Sequence, residues 1–352
     1  MAGSRMEYRN AGFSLVELMV GMVLGLILIA GAVSIYLATK RSYVEVEQVA
    51  ALTENSRFAE QIIGDSLRQA GFFGEVTGDQ VEVDSNLNAL VNDCTTAGAG
   101  YGDLSQFVFA ATATGSNDLG CITGALAGTD ILVVKHVRAQ PLTDGPRDSS
   151  DPNNPTHGDG VIDTPHGLQA EKTYVISNNV VGRLFDGADT QPSIGLGGQI
   201  PSGSAWEYQY EVFYIRDAEI PQLSRMSLHW NGTDMELQSE DVAEGVENLR
   251  VLLGFDGDGD GEVDTYKDAA YITANDKWSD VESLEVYLLV RSAEADAQYV
   301  DEKDYSIPGV SPGTYQGRLS SLHNLRRGLW GLRPPAALGP SARACTSYLK
   351  RI

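Results

Sequence analysis

Basic residues are scarce in this sequence. Its 352 residues include 25 Lys and Arg against 48 Asp and Glu, which gives a formal net charge of −23 at neutral pH. A protein that binds nucleic acid presents a basic surface, so this composition argues against a nucleic acid as a partner. An acidic protein instead attracts cations, including divalent metal ions. The acids are all found before residue 305, because residues 305–352 contain seven basic residues and no acid.

Cysteine is rare, and the common catalytic motifs are absent. The three cysteines include no Cys-x-x-Cys pair, so the sequence does not predict a zinc site built on cysteine. It also lacks a Gly-x-Ser-x-Gly turn, a glycine-rich phosphate-binding loop and a helix with two metal-binding histidines. We therefore predict that the chain is not an enzyme.

Charge is missing altogether from the twenty residues 18–37. As an α-helix, with a rise of about 1.5 Å per residue, this run spans roughly the 30 Å of a bilayer core. Glu17 lies at its edge, and an ionised side chain there costs free energy in lipid, so we expect the carboxylate to have a partner. A secretory signal peptide has a shorter apolar region followed by a cleavage site, which argues against that interpretation. A single-pass anchor fits the length but does not explain Glu17.

The residues around Glu17 resemble the signal of type IV prepilins. The resemblance covers residues 12–19, which read Gly-Phe-Ser-Leu-Val-Glu-Leu-Met. It implies that a prepilin peptidase removes the leader, residues 1–12, by cutting between Gly12 and Phe13, and then methylates the new amino group of Phe13. It also implies that Glu17 pairs with the amino terminus of a neighbouring subunit, and opposite charges attract strongly where the dielectric constant is low.

Beyond the apolar half of the helix, residues 13–39, the helix is predicted to continue as an amphipathic half over residues 40–74. Apolar residues recur there at the spacing of one helical face: Leu52, Ala59, Ile63, Leu67 and Ala70. We expect this face to pack on a folded domain. The helix is predicted to end at Gly71 or Gly74, because glycine often terminates helices.

Residues 75–320 are predicted to form a β-rich domain. Six segments have the composition or alternation of strands: 131–136, 174–177, 206–215, 225–230, 249–253 and 281–290. Two segments rich in Gly, Pro, Asp, Asn and Ser, 141–160 and 186–205, are predicted to be loops. The fold class is therefore α+β, and the resemblance implies a type IV pilin-like fold in which the long helix packs on the β-rich domain.

Cys94 and Cys121 lie in a region rich in Gly, Ala, Thr and Ser. The resemblance places this region outside the cytoplasmic membrane, where an oxidising periplasm allows the two cysteines to form a disulfide. By loop entropy, such a bond adds roughly 3 to 4 kcal/mol of stability. Two unpaired thiols are the alternative. Cys345 has no evident partner.

A second chemical motif has acids at alternate positions: Asp256, Asp258, Asp260, Glu262 and Asp264. The acids and Gly261 match the start of a calcium loop, in which short carboxylates surround a hard cation and glycine allows a sharp turn. Lys267 stands where an EF-hand has its last glutamate, so we predict a shorter calcium loop in which Glu262 supplies its backbone carbonyl, with Asp268 as a further candidate ligand. An Asp/Gly hairpin turn without a metal is the alternative. Residues 157–163 are a weaker copy that lacks the first acid.

Further motifs resemble the PilW family of minor pilins. They are residues 55–59 and 67–74 near the helix end, and residues 244–251 and 281–292 on either side of the acidic motif. The resemblance implies a low-abundance subunit that starts assembly of a type IV pilus and lies at or near its tip.

The partners implied by this resemblance are the prepilin peptidase, the other minor pilins, the major pilin, a large tip adhesin and the inner-membrane assembly platform. Before assembly, the chain is expected to span the inner membrane once, with its carboxyl-terminal domain in the periplasm. Two alternatives are a minor pseudopilin of a type II secretion system and a membrane-anchored, calcium-dependent adhesin that does not polymerise.

Residues 321–352 depart from the PilW pattern, because they are rich in Arg, Leu, Pro, Ala and Gly where PilW-like chains have a strand rich in Thr and Val. A shifted reading frame and a genuine basic tail that contacts the acidic body or a neighbour are the two interpretations. We therefore place no functional residue beyond Ser320.

Overall fold

A computed structural model describes residues 14–145, 158–293, 305–309 and 320–328. The chain divides into two compact units, Met1–Ala51 and Leu52–Ile352. The first unit contains the apolar half of a long helix. The second contains the rest of that helix and all of the described strands.

Helix α1 extends over Leu15–Gln69 and carries both the apolar run and the amphipathic face that the sequence predicts. The side chains of the apolar run, such as Leu18, Leu26 and Leu28, are exposed in the structure. Among the described residues, α1 is the one helix that is long and apolar enough to cross a membrane.

Helix α1 ends at Gln69, so the predicted boundary of the helix at residue 74 is wrong by five residues. Gly71 has a φ of +76°, in the left-handed region that favours glycine. A Cβ atom at this position would lie 2.7 Å from the ring of Phe107. The Gly71 amide donates a hydrogen bond to the carbonyl oxygen of Lys135 at 3.1 Å. Residues 70–74 therefore form a turn that leads the chain from the helix onto the sheet.

Strands and one further short helix make up the rest of the described fold. In chain order they are β1 Val81–Val83, β2 Val108–Thr112, β3 Asn117–Asp118, β4 Ile122–Thr123, β5 Asp130–Val137, β6 Thr173–Ser177, β7 Gly182–Asp186, β8 Ser204–Arg216, β9 Gln222–Trp230, β10 Met235–Glu244, β11 Val246–Phe255, β12 Thr265–Asp268, α2 Ala269–Ala274, β13 Val281–Arg291 and β14 Ser320–Gly328. All six predicted strands are present, as β5, β6, β8, β9, β11 and β13.

The strands form an eight-stranded sheet, a four-stranded sheet and the small β3–β4 hairpin. Strand β8 is the centre of the large sheet, since it pairs antiparallel with β5, β6 and β9. Its alternate residues Tyr208, Tyr210, Val212 and Tyr214 are all buried. The smaller sheet has the order β12-β11-β13-β14.

Strand β14 corrects the predicted start of the tail at residue 321. It pairs antiparallel with β13, with Ser320 opposite Arg291 and Gly328 opposite Ser283. The side chain of Leu325 packs against the main core. Residues 321–328 therefore belong to the folded domain, while residues 329–352 lie outside the described residues.

The distal part of α1 docks through one face. Its buried residues are Leu52, Ser56, Ala59, Ile63, Gly64, Ser66 and Leu67. The apolar members of this face join one hydrophobic core with strands of both sheets. The buried face therefore combines aliphatic side chains, which fill the core, with the small residues Ser56, Ala59, Gly64 and Ser66.

A buried ion pair joins the two sheets. The Arg250 Nη1 atom on β11 donates to Asp130 Oδ1 on β5 at 3.0 Å, and the Val251 amide donates to Asp130 Oδ2 at 2.8 Å. Burial raises the pKa of Asp130, while these two neighbours act to lower it. Buried charges are tolerated when they are paired and hydrogen-bonded in this way, and the pair fixes how the two sheets face each other.

A polar cluster fixes the position of α1 on the large sheet. Glu211 of β8 accepts a short hydrogen bond from the hydroxyl of Ser66. The Arg225 Nη1 atom on β9 donates to Glu211 Oε1 at 3.0 Å, and the His136 Nε2 atom on β5 lies 3.6 Å from Glu211 Oε2. One carboxylate therefore ties the helix to three adjacent strands.

The Glu211 cluster predicts a loss of stability in acid. Burial acts to raise the pKa of Glu211, but the hydrogen bonds from His136 and Ser66 and the charge of Arg225 together hold it below its usual value. A carboxylate of this kind stabilises the fold above its unfolded pKa of about 4.3, and the stabilisation is lost as pH falls through the lower folded pKa.

We expect Glu211→Gln to lower the free energy of unfolding at neutral pH by roughly 1.5 to 3 kcal/mol, because a charged hydrogen-bond acceptor is lost. The variant should also lose less stability than the wild type below about pH 4.3. Thermal unfolding followed by circular dichroism measures both the stability at neutral pH and its dependence on pH. The substitution of an exposed residue, Glu244→Gln, is the control. An identical pH profile in wild type and Glu211→Gln would contradict this role.

Candidate functional site

Gly12 and Phe13, the two residues of the predicted cleavage site, lie outside the described residues. The structure describes the start of α1 from Ser14 onward. The Ser14 amide donates to Glu17 Oε2 at 3.1 Å, and the Val16 amide lies 3.3 Å from the Ser14 hydroxyl oxygen. Ser14 and Glu17 thus cap the first turn of α1 reciprocally, as in a capping box, except that the Ser14 hydroxyl accepts from the Val16 amide and not from that of Glu17.

This cap gives Glu17 a role that our sequence reasoning missed, although the Ser-x-x-Glu spacing of residues 14–17 is its signal. The carboxylate lies beside the free amides of the first helical turn, where the helix dipole favours negative charge. Glu17 is therefore held at the helix start, four residues after Phe13 in the sequence. The structure contains one chain, so the predicted pairing of Glu17 with a neighbouring subunit stays a prediction.

Cys94 and Cys121 are joined by a disulfide in the structure, with their Cα atoms 4.6 Å apart. The bond closes residues 94–121, the disulfide-closed segment, which contains β2 and β3 and ends just before β4. Cys94 is buried in the main core. Cys345 lies outside the described residues.

Beneath the disulfide-closed segment lies a buried lysine that the sequence did not reveal. Lys135 of β5 is fully buried. Its Nζ atom donates to the carbonyl oxygens of Gly98 at 2.9 Å, Asp103 at 2.8 Å and Gln106 at 3.2 Å. Burial lowers the pKa of Lys135 to about 7, while the charges of Asp103 and Asp93 act to raise it. A lone lysine within an apolar strand carries no local sequence signal for such a role.

Two tyrosines of β8 support the same segment. The Tyr208 hydroxyl donates to the carbonyl oxygen of Tyr101, and the Tyr210 hydroxyl donates to that of Ala99, both at 2.9 Å. Burial raises the pKa of both phenols, which keeps them neutral donors. Lys135, Tyr208 and Tyr210 therefore satisfy backbone carbonyls that would otherwise be buried without partners.

The acidic motif forms a turn between β11 and β12, folded around the buried Asp256. Its Oδ1 and Oδ2 atoms accept hydrogen bonds from the amides of Gly259 at 2.6 Å and Gly261 at 2.8 Å. Asp258 and Asp260 are exposed, and one carboxylate oxygen from each lies within 4.8 Å of the others and of an oxygen of Asp256. Like charges this close repel, and a divalent cation would offset that repulsion.

The structure does not bring every predicted ligand to this cluster. Asp264 lies at the base of the turn, where its Oδ2 atom accepts from the Gly257 amide at 2.7 Å, and Glu262 contributes its amide to Asp260 at 2.8 Å. Asp268 is directed elsewhere, because its Oδ1 atom accepts from the Tyr271 amide at 2.8 Å and caps α2. The expectation that Asp268 closes the metal site is therefore corrected.

The weaker copy of the motif, residues 157–163, lacks the first acid in its own sequence, but Asp144 takes that place in the structure. Asp144 accepts hydrogen bonds from the amides of Gly158 at 2.5 Å and Gly160 at 2.9 Å. Asp256 holds the acidic motif with the same pattern of two glycine amides. His157 lies outside the described residues, and the described residues of this loop do not form a cluster of three possible metal ligands.

The role of Lys135 leads to a prediction about stability. We expect Lys135→Met to lower the free energy of unfolding by roughly 1.5 to 3 kcal/mol, because it removes the charged donor to one buried and two partly buried carbonyl oxygens. The half-exposed Lys172, whose Nζ atom lies 2.8 Å from Glu207 Oε2, is the control. Lys172→Met should cost about 1 kcal/mol or less. Thermal unfolding of both variants measures the difference, and equal effects would show that Lys135 does not hold the segment.

Comparison with known proteins identifies two family models in this chain. Residues 212–329 match the model described as Type IV Pilus-assembly protein W, and residues 8–33 match the prokaryotic N-terminal methylation motif. The first match runs from within β8 to the end of β14, and so includes the acidic motif.

Among solved structures, a type IV-like pilin from Thermus thermophilus is 17% identical, with a TM-score of 0.22. The similarity covers 47% of this chain and 86% of that one. No curated protein matches the sequence.

Proposed function

This chain belongs to the PilW family of type IV pilus minor pilins, and from this premise we propose how it matures, assembles and binds a metal ion. Prepilin peptidase cuts the chain between Gly12 and Phe13 and methylates Phe13. The mature subunit then joins other minor pilins in starting assembly and lies at or near the pilus tip. The pilin family is structural rather than catalytic.

The observation that carries this proposal is the combination of Glu17 with an apolar helix inside the matched methylation motif. The apolar half of α1 anchors the subunit in a membrane before assembly. The carboxylate in the first helical turn can then pair with the amino terminus of an adjacent subunit. Pairing is favourable because each of the two charges is costly alone in lipid.

The expected partners are the prepilin peptidase, the major pilin, the other minor pilins, a large tip adhesin and the inner-membrane assembly platform. We propose that the β-rich domain is periplasmic before assembly and exposed at the cell surface afterwards. The Cys94–Cys121 disulfide supports this location, because disulfides persist in oxidising compartments.

Glu17→Gln tests the proposed registration. Glutamine also occurs at this position of capping boxes, so the substitution removes the charge and preserves the cap. We expect the variant to be processed and membrane-bound like the wild type but depleted at least about 10-fold from sheared pili, the loss that about 1.4 kcal/mol of pairing energy would cause. Immunoblotting of sheared and cell fractions measures this, with Glu47→Gln as the control. A merely anchored adhesin would tolerate Glu17→Gln.

We further propose that the acidic motif binds calcium. Asp256, Asp258 and Asp260 would supply carboxylate oxygens, and Glu262 would supply its backbone carbonyl. Asp264, which accepts from the Gly257 amide in the structure, would join them only after a change of its side-chain position. The clustering of three carboxylates at the end of β11, with glycines that allow the tight turn, supports this assignment. A bound calcium ion would fix the β11–β12 connection of the smaller sheet.

Calcium titration of the purified full chain tests this assignment. Calcium in about 100-fold excess over its Kd should stabilise the fold by about 2.7 kcal/mol and raise the melting temperature. Asp258→Ala should abolish the shift, whereas the exposed Asp217→Ala should leave it unchanged. A wild-type melting temperature that does not respond to calcium would refute the site.

A further inference from the structure

A second, smaller core lies apart from the main one. It contains residues of β6, β7 and β8, including Ile176, Phe185 and Ala205, and closes with Leu142. Three loops cover it: residues 158–164, the β6–β7 turn at residues 178–181, and residues 191–203. We call the solvent side of these loops the three-loop surface.

Each of the three loops directs at least one aliphatic side chain into the small core and exposes another. The first loop buries Ile162, and its neighbour Val161 is 53% exposed. In the turn, Val181 packs on the small core, and its neighbour Val180 is 73% exposed. The third loop buries Ile194 and Ile200, and Leu196 between them is fully exposed.

Hydrogen bonds hold these loops to one another. Gln191 of the third loop accepts from the Ile162 amide at 2.9 Å and donates to the Gly160 carbonyl oxygen at 3.1 Å. The Asn178 side chain of the turn donates to the Pro201 carbonyl oxygen at 3.0 Å. The third loop therefore bridges the other two.

The tip that carries Leu196 is also braced from within. The Ser193 amide donates to the Gln199 side chain at 3.2 Å, and the Gln199 amide donates to the Ser193 hydroxyl oxygen at 2.9 Å. The Gly198 amide donates to the Gly195 carbonyl oxygen at 2.8 Å. A tip fixed in this way presents its leucine without an ordering cost on binding, which favours association.

The charge around the three-loop surface has one sign. The three loops contain two acids, Asp159 and Asp163, and no Lys or Arg. The cations on the neighbouring strands and loops, Lys172 and Arg183, are paired with Glu207 and Glu82. The acids are therefore in excess, and a second copy of this surface would meet like charges.

We propose that the three-loop surface is a docking site for a different protein, one that offers an apolar depression rimmed by Lys or Arg side chains. Val161, Val180 and Leu196 enter the depression, and the basic rim meets the surrounding acids, since charge complementarity selects among partners. The inference rests on the proposed function, from which the partner is another subunit of the same pilus.

Binding measurements with named subunits test this proposal. The full-length chain in lipid nanodiscs is immobilised, and the purified major pilin and each other minor pilin of the same pilus are passed over it. We expect one of them to bind and the Val180→Ser, Leu196→Ser double variant to bind it at least about 10-fold more weakly, because burial of two aliphatic side chains is lost. Added salt should weaken wild-type binding as well.

Controls separate the outcomes. Val83→Ser, a half-exposed valine outside the three loops, should leave binding unchanged, and an unaltered melting temperature shows that the double variant is folded. The proposal would be overturned if the double variant bound as tightly as the wild type. It would also be overturned if the wild-type chain bound none of these subunits. If the wild type self-associates and the double variant does not, the surface binds a second copy of the chain instead. Immunodetection of the wild-type chain in sheared pili tests the proposed function independently, since its absence there overturns that function whatever the binding result.

Discussion

The fold depends on one helix that meets two kinds of surroundings along its length. The first half of α1 is apolar on all sides and exposed, as a segment in lipid must be. From Leu52 onward only one face is apolar, and that face is part of the main core. Ala59 and Gly64 are among the buried residues of that face, and the Ser66–Glu211 hydrogen bond ties the helix to the large sheet. A membrane anchor and a folded domain therefore share a single element.

Polar groups inside the core determine how the loops and sheets are arranged. Apolar packing alone is tolerant of small shifts, whereas a buried charge is stable only where its partners are in place. Lys135 fixes the disulfide-closed segment in this way, and the Asp130–Arg250 pair fixes the two sheets. The acidic motif follows directly on β11, the strand that carries Arg250. The surfaces proposed to bind calcium and a partner subunit thus belong to the folded domain.

Sequence patterns predicted the helix, six strands and the fold class because these depend on local hydrophobic periodicity. Strand β10 was missed because most of its middle residues, from Gln238 to Asp241, are polar and exposed, and β7 because it is short and follows two asparagines. The capping role of Glu17 is local and has a sequence signal. Lys135, Asp144 and the Asp130–Arg250 pair act across long separations in the chain, and a single sequence contains no record of which distant residues meet. The basic composition after residue 320 concealed β14, whose place is set by pairing with β13.

If this apolar helix belongs to a pilus subunit processed at its amino terminus, the mass of the chain recovered from sheared pili will show it. We expect a mature chain that begins at Phe13 and carries one methyl group on its amino nitrogen. An intact leader, or an unmethylated start at another residue, in cells that make pili would contradict it.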